Sequence, residues 1–181
     1  MSRNRAVLAA VVIIVIAVGG WWLFHRGGAQ RIDLLTQYDQ AQKDGSPWSL
    51  TDATLAGEMK HAIAAPPAGR IHFKVRVPDD GWLRVSLGMQ PASWDKEGDG
   101  VYFFAGISDG RAYEQLFTQT LNPYKNKTER KWIPVTVDLS AYAGEDVEIL
   151  LNTRASPPTP PGQNDTRNDL PLWGAPEIVR R

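Results

Sequence analysis

The segment GRIHFKVRV, residues 69–77, decides the fold class of this chain. Its apolar positions are Ile71, Phe73, Val75 and Val77, and polar side chains stand between them. Because successive side chains of a strand point to opposite faces, this period of two predicts a half-buried β-strand. The turn residues PDDG follow at 78–81, where such a strand would end.

Similar segments recur between residues 69–77 and the C-terminal end of the chain. They are WLRVSLGM at 82–89, VYFFAGI at 101–107, YEQLFTQTL at 113–121, WIPVTVDL at 132–139, DVEILLNT at 146–153 and a short strand around 177–179. About seven strands with turns between them, and no long helical pattern, predict an all-β fold, an antiparallel jelly-roll sandwich. We place this domain at residues 46–181.

The N-terminal segment differs sharply from the rest. Residues 6–24 are 19 residues without a charge, and Trp21 and Trp22 lie near their end. A helix of this length matches a hydrocarbon core of about 30 Å, so the segment predicts one transmembrane helix. The alternative is a cleaved signal peptide with Arg3 and Arg5 as its basic region, although its usual apolar stretch is only about 7–15 residues.

The basic tail at residues 1–5 favours a cytoplasmic N-terminus, because signal anchors begin in this way. This predicts a single-pass protein whose C-terminal domain is periplasmic or extracellular. Residues 25–45 would form a stalk or linker. Within it, the helical spacing of Ile32, Leu35 and Tyr38 predicts a short stalk helix.

Composition excludes several classes of protein. The chain has 181 residues, 20 Lys plus Arg, 20 Asp plus Glu, and no cysteine. Without cysteine there is no disulfide scaffold, thiolate zinc site or cysteine nucleophile. The balanced charge, without a basic cluster, argues against binding to nucleic acid. No cofactor is predicted.

Several motifs carry a resemblance to a known family. They are TLAGE at 54–58, PP at 66–67, FKVRVP at 73–78, GVYF at 100–103, VDLSAYAG at 137–144 and LWGAPEI at 172–178. Over about residues 46–181 the chain resembles the galactose-binding-like, carbohydrate-binding-type jelly-roll modules of bacterial surface proteins. That resemblance implies an extracytoplasmic binding or accessory role.

The candidate ligand-binding residues lie in loops between the predicted strands. They are Trp94, Asp95, Asp99, Tyr124, Asn164, Asn168 and Asp169. Sugar recognition needs an aromatic face for C–H surfaces, together with amides or carboxylates for hydroxyls. The alternative is that these polar loop residues are merely solvated.

Alternate carboxylates before a glycine indicate a possible structural calcium site. Asp95, Glu97 and Asp99 precede Gly100, and carboxylate oxygens are ligands that calcium prefers. The EF-hand pattern fails, because Gly106 stands where its final Glu is required.

One motif could indicate an enzyme. Residues 106–110, GISDG, match the G-x-S-x-G pattern of serine hydrolases. They join two strand patterns, and no histidine follows His72, so a hairpin turn is the better interpretation. No catalytic residue is predicted.

Together these features predict a membrane-anchored, non-catalytic binding or accessory module for cell-envelope glycan. Two alternatives stay open. One is a protein-interaction subunit of an envelope glycosyltransferase, sulfatase or polysaccharide-export assembly. The other is a carboxylate-dependent hydrolase that uses a residue such as Asp99 or Asp169.

Overall fold

A computed structural model describes residues 31–155 and 165–180, and these residues form eleven strands with four short 3₁₀ turns. The strands are β1 (Ile32–Asp33), β2 (Gln42–Asp44), β3 (Ser49–Leu55), β4 (Glu58–Ala64), β5 (Gly69–Arg76), β6 (Gly81–Met89), β7 (Val101–Ser108), β8 (Tyr113–Leu121), β9 (Ile133–Asp138), β10 (Asp146–Ala155) and β11 (Pro171–Arg180). The 3₁₀ turns are Leu34–Gln37, Pro91–Ser93, Lys127–Glu129 and Ser140–Tyr142.

The strands form two antiparallel sheets that enclose one core. The six-stranded sheet has the order β3-β4-β11-β6-β9, with β1 also paired to β11. The five-stranded sheet has the order β2-β5-β10-β7-β8. Neighbours in each sheet are mostly distant along the chain, as in Greek-key and jelly-roll sandwiches. The predicted all-β antiparallel sandwich is confirmed.

The core contains the inward-facing residues of both sheets. Ile71, Phe73 and Val75 of β5 are buried, as the period of two predicts. Trp173 of β11 is fully buried, and its ring meets that of Phe103 edge to face at a centroid distance of 5.1 Å. Aromatic pairs of this geometry add stability beyond the area that they bury.

The WG motif is explained by close packing on the other side of β11. A Cβ at Gly174 would lie 2.6 Å from the ring of Trp132, so only glycine leaves room for that ring. The Trp132 indole nitrogen donates to the carbonyl of Glu58 at 3.0 Å. Trp132 therefore covers the outer side of the six-stranded sheet.

A bulge divides β11 between two partners. The register shifts between Gly174 and Glu177, and Ala175 there has a φ of 43°. Before the bulge β11 pairs with β4, and after it β11 pairs with β1. Bulges bend a strand and increase its twist, which suits a strand that serves both neighbours.

The predicted stalk helix is wrong over residues 31–45. Leu34 is fully buried in the core, Ile32 pairs with Ile178, and β2 pairs with β5. Asp33 accepts a hydrogen bond from the amide of Leu35 at 2.9 Å and so begins a 3₁₀ turn. This segment is thus a strand, a 3₁₀ turn and a second strand. Ile32, Leu35 and Tyr38 pack against the core from it, so their spacing does not arise from an α-helix.

The predicted cytoplasmic tail at residues 1–5 and transmembrane helix at residues 6–24 lie outside the described residues. Within the described ranges, 31–155 and 165–180, no helix is long and apolar enough to cross a membrane.

The hairpin-turn interpretation of residues 106–110 is confirmed. In the VDLSAYAG motif, Asp138 accepts a hydrogen bond from the amide of Ser140 at 2.8 Å. The G-x-S-x-G match lies at the end of β7 and in the turn to β8, where the Ser108 hydroxyl accepts from the amide of Gly110 at 3.1 Å. A strand-to-strand turn is not the strand-to-helix elbow that holds a hydrolase nucleophile.

Candidate functional site

Three loops meet at one end of the sandwich, and they contain most of the predicted ligand-binding residues. The side-chain amide of Asn122 donates to the carbonyl of Gly98 at 3.0 Å, and that of Asn168 donates to the carbonyl of Glu97 at 2.9 Å. These contacts join the β6–β7, β8–β9 and β10–β11 loops. The polar side chains are thus engaged in holding the loops together.

Trp94 is engaged in the same way. It is half-buried, and its indole nitrogen donates to the carbonyl of Met89 at 2.9 Å. Arg130 donates to the Trp94 carbonyl at 2.5 Å and to the Asp95 carboxylate at 2.9 Å. Its guanidinium lies 5.9 Å from the centroid of the indole ring. Trp94 and Asp95 therefore help to hold the β6–β7 loop, and Asp95 remains exposed to solvent.

The described residues of these loops enclose one small cavity. The cavity lined by Gly98, Tyr124, Asn168 and Asp169 has a volume of about 10 Å³, room for about one water. Tyr124 is 42% exposed at its rim. Asn164, also predicted as a ligand-binding residue, lies outside the described residues.

Asp169 is the most perturbed acid of this loop cluster. Only 4% of the residue is exposed, and its Oδ2 atom has no hydrogen-bond partner among the described residues. Burial, together with the negative charges of Asp99 and Asp165, raises the pKa of Asp169 to about 7. Burial also raises the pKa of Asp99, with the Asp165 charge as the second cause.

The predicted calcium ligands Asp95, Glu97 and Asp99 are not brought together. In the part of the chain that the structure describes, no group of three or more His, Asp or Glu side chains is placed to hold a metal ion. Asp95 instead pairs with Arg130.

A second polar cluster, which the sequence did not reveal, lies on the outer face of the five-stranded sheet. Arg70, Asn152, Phe104 and Thr118 are register partners across β5, β10, β7 and β8. Arg154, Tyr102 and Thr120 form the neighbouring row. These residues alternate along their strands with core residues, so they face away from the core. We call Arg70, Tyr102, Phe104, Asn152 and Arg154 the arginine–aromatic patch.

Asn152 organises the centre of this patch. It is 2% exposed, and its Oδ1 accepts a hydrogen bond from Arg70 Nε at 2.5 Å. Its amide nitrogen lies 3.3 Å from the Phe104 carbonyl, to which it donates. Buried polar side chains are kept where their hydrogen bonds are satisfied, so Asn152 fixes the position of Arg70.

Arg154 lies over the two aromatic rings of the patch. Its guanidinium carbon is 4.5 Å from the centroid of the Phe104 ring and 5.4 Å from that of Tyr102. The two rings are themselves 5.6 Å apart. Cation–π contacts of this kind hold a guanidinium in place while its N–H donors stay available to solvent.

The patch borders an open groove of about 540 Å³. Its lining includes Arg70, Phe104, Asn152 and Arg154. Volumes of this order accommodate small ligands. Donors from two arginines and an aromatic edge therefore converge on a space large enough for a sugar, larger than the cavity that the described loop residues enclose.

Comparisons with known proteins point to a fold, and one relative in sequence is found. No protein-family model matches the chain. An uncharacterised protein of Archaeoglobus fulgidus is 40% identical over 121 residues, a match covering 66% of this chain and 29% of that protein. The chain thus spans less than a third of the relative's length.

Solved structures with a similar fold include carbohydrate-binding modules. The CBM51 module of Clostridium perfringens GH95, in complex with methyl-galactose, has a TM-score of 0.57 at 13% identity and covers 82% of this chain and 99% of its own. The chain has the fold of carbohydrate-binding modules. A structure with CBM51-2 of Clostridium perfringens ZmpB in complex with GlcNAc has a TM-score of 0.55 at 12% identity, covering 83% and 32%. The K1 cleaved adhesin domain of a Porphyromonas gingivalis gingipain has a TM-score of 0.53 at 14% identity, covering 85% and 98%.

Proposed function

We propose that this protein is a non-catalytic carbohydrate-binding module that binds glycan at the arginine–aromatic patch. The observation that carries the proposal is the convergence of Arg70, Phe104, Asn152 and Arg154 on one groove of about 540 Å³, with the Tyr102 ring beside Arg154. Sugars present hydroxyls to amide and guanidinium donors, and C–H surfaces to aromatic rings. Modules with a similar fold have been solved in complex with methyl-galactose and with GlcNAc, which supports glycan binding by this sandwich.

The proposal also covers attachment of the protein to a membrane and its location in the cell envelope. We propose that residues 6–24 anchor the chain, with the N-terminus cytoplasmic and the module periplasmic or extracellular. The support is the uncharged stretch of 19 residues that follows a short basic tail. An anchored module of this kind would hold envelope glycan near the membrane surface.

The test compares two tyrosines at the two candidate sites. The full chain in detergent micelles is screened on a glycan array, with empty micelles as blank, and the best ligand is then titrated. We expect Tyr102→Ala to weaken binding about threefold to tenfold, because it removes a ring that holds Arg154 in place beside the groove. Tyr124→Ala, which removes an exposed ring from the loop end, should leave the affinity unchanged.

The outcomes separate the possible functions. Loss of affinity in Tyr124→Ala alone would move the site to the loops. A blank array from folded protein would overturn glycan binding and leave a protein-interaction subunit as the leading function. Turnover of a bound glycan would contradict the non-catalytic assignment.

A further inference from the structure

Two cations of the arginine–aromatic patch lack a carboxylate partner among the described residues. Arg70 and Arg154 are exposed, and neither forms an ion pair within residues 31–155 and 165–180. Elsewhere on the same face the cations are paired. Arg76 contacts Asp146 at 3.0 Å, and Lys74 lies 3.9 Å from Glu148. Among the described strand residues of this outer face, the cations without an ion pair are therefore the two arginines of the patch.

Strand geometry brings these two arginines to one place. Asn152 is the register partner of Arg70, and Arg154 lies two residues further along β10 on the same face. Two residues along a strand correspond to about 6.6 Å, and directly paired residues are about 5 Å apart. Both guanidinium groups thus reach one groove, which they line together.

Asp44, a carboxylate on this face, forms no ion pair with either arginine in the described part of the chain. Asp44 lies opposite Arg70 in the register of β2 and β5, and it also lines the groove. Its Oδ2 atom contacts His72 Nε2 at 3.5 Å. The contacts of Asp44 therefore run toward His72 rather than toward Arg70.

We infer that the glycan bound at this patch is acidic and carries either uronate carboxylates or sulfate esters. This inference rests on the proposed function and names its substrate class. The planar fork of an arginine pairs with two oxygens of a carboxylate or sulfate, and Asn152 and the rings hold both forks in place beforehand. A neutral sugar would leave both positive charges uncompensated.

The test uses acidic sugars and their matched neutral forms. Calorimetry of the full chain in detergent micelles measures oligogalacturonate against the same oligosaccharide with its carboxyls reduced to alcohols, and dextran sulfate against dextran. We expect an acidic form to bind at least about tenfold more tightly than its neutral partner, because charge-assisted hydrogen bonds are the stronger ones. The pair of sugars that shows this increase in affinity identifies the acidic group as carboxylate or sulfate.

Substitutions distinguish binding at the patch from attraction to the overall positive charge of this face. Arg70→Gln and Arg154→Gln should each reduce affinity for the acidic form about tenfold or more. Arg76→Gln is the matched control, since this exposed arginine lies on the same strand and face but is paired with Asp146. It should leave affinity unchanged. Arg154→Lys should bind with intermediate affinity, because it keeps the charge but not the fork.

Three results would overturn the inference. Equal binding of acidic and neutral forms would refute the substrate class while leaving glycan binding intact. Equally tight binding of inorganic polyphosphate would show capture of any polyanion. Absence of binding by every sugar, neutral ones included, would overturn the proposed function as well.

Discussion

Asp169 lies buried in the loop before β11, with a carboxylate oxygen that has no hydrogen-bond partner among the described residues. Its pKa is raised to about 7 in the folded protein, against about 4 in an unfolded chain. The folded state therefore binds this proton more tightly than the unfolded state. The resulting stability is fully present below about pH 4 and is lost as pH rises through about 7.

Replacing this acid should therefore change how stability depends on pH. We expect Asp169→Asn to be more stable than the wild type at pH 8, by on the order of 2–4 kcal/mol, because it cannot acquire a buried charge. Near pH 4 the two proteins should be similar. Urea unfolding across pH 4–8 in chelator-treated buffer measures this, with the exposed Asp79→Asn as control. Parallel pH profiles for Asp169→Asn and wild type would contradict the expectation.

The segment from β1 to β2 belongs to the sandwich and is not a spacer. Leu34 between them is fully buried in the core. Leu34→Ala should therefore destabilise the domain by about 2–5 kcal/mol, the cost of a cavity in a packed core. Leu50→Ala is the matched control, because Leu50 is 49% exposed, and its effect should stay within about 0.5 kcal/mol. Equal midpoints of thermal unfolding for Leu34→Ala and wild type would restore the stalk interpretation.

The strands differ in how well they can be predicted from the sequence. Long strands such as β5 and β10 alternate in hydrophobicity and could be predicted, whereas β1 and β2 are two and three residues long. So short a strand cannot display a period, and only its partner in the sheet defines it. For this reason the spacing of Ile32, Leu35 and Tyr38 could be mistaken for a helix.

The arginine–aromatic patch could not be predicted for a related reason. Its residues come from β5, β7 and β10, and Arg70 and Asn152 are 82 positions apart in the chain. Only strand order and register place them side by side. Two local signals did exist: Asn152 interrupts an apolar run, and Phe103 and Phe104 put an aromatic ring on each face of one strand. The loop residues are candidates because polar loops commonly bind ligands. In the structure, hydrogen bonds from Asn122 and Asn168 also join these loops to one another.

At the scale of the whole molecule, the described residues close a sandwich of their own beginning at β1. Arg31–Arg181 forms one compact unit, and Arg31 pairs with Glu177 of the last strand. Anchoring and glycan binding should therefore be separable. We expect a chain lacking residues 6–24 to keep the thermal midpoint and the sugar affinity of the full chain, since every core residue of the described sandwich is retained.

The same deletion tests the membrane anchor when the protein is expressed in a bacterium. The full chain should sediment with membranes after alkaline extraction, because an uncharged span of 19 residues is long enough to cross the bilayer. The shortened chain should stay in the supernatant, and Leu34→Ala in the full chain, which alters the sandwich but not the span, should still sediment. Full chain in the supernatant would contradict the anchor, whereas a shortened chain that sediments would assign membrane attachment to the sandwich itself. Protease added to intact spheroplasts should digest the module only if it lies outside the cytoplasm, which tests the proposed orientation independently.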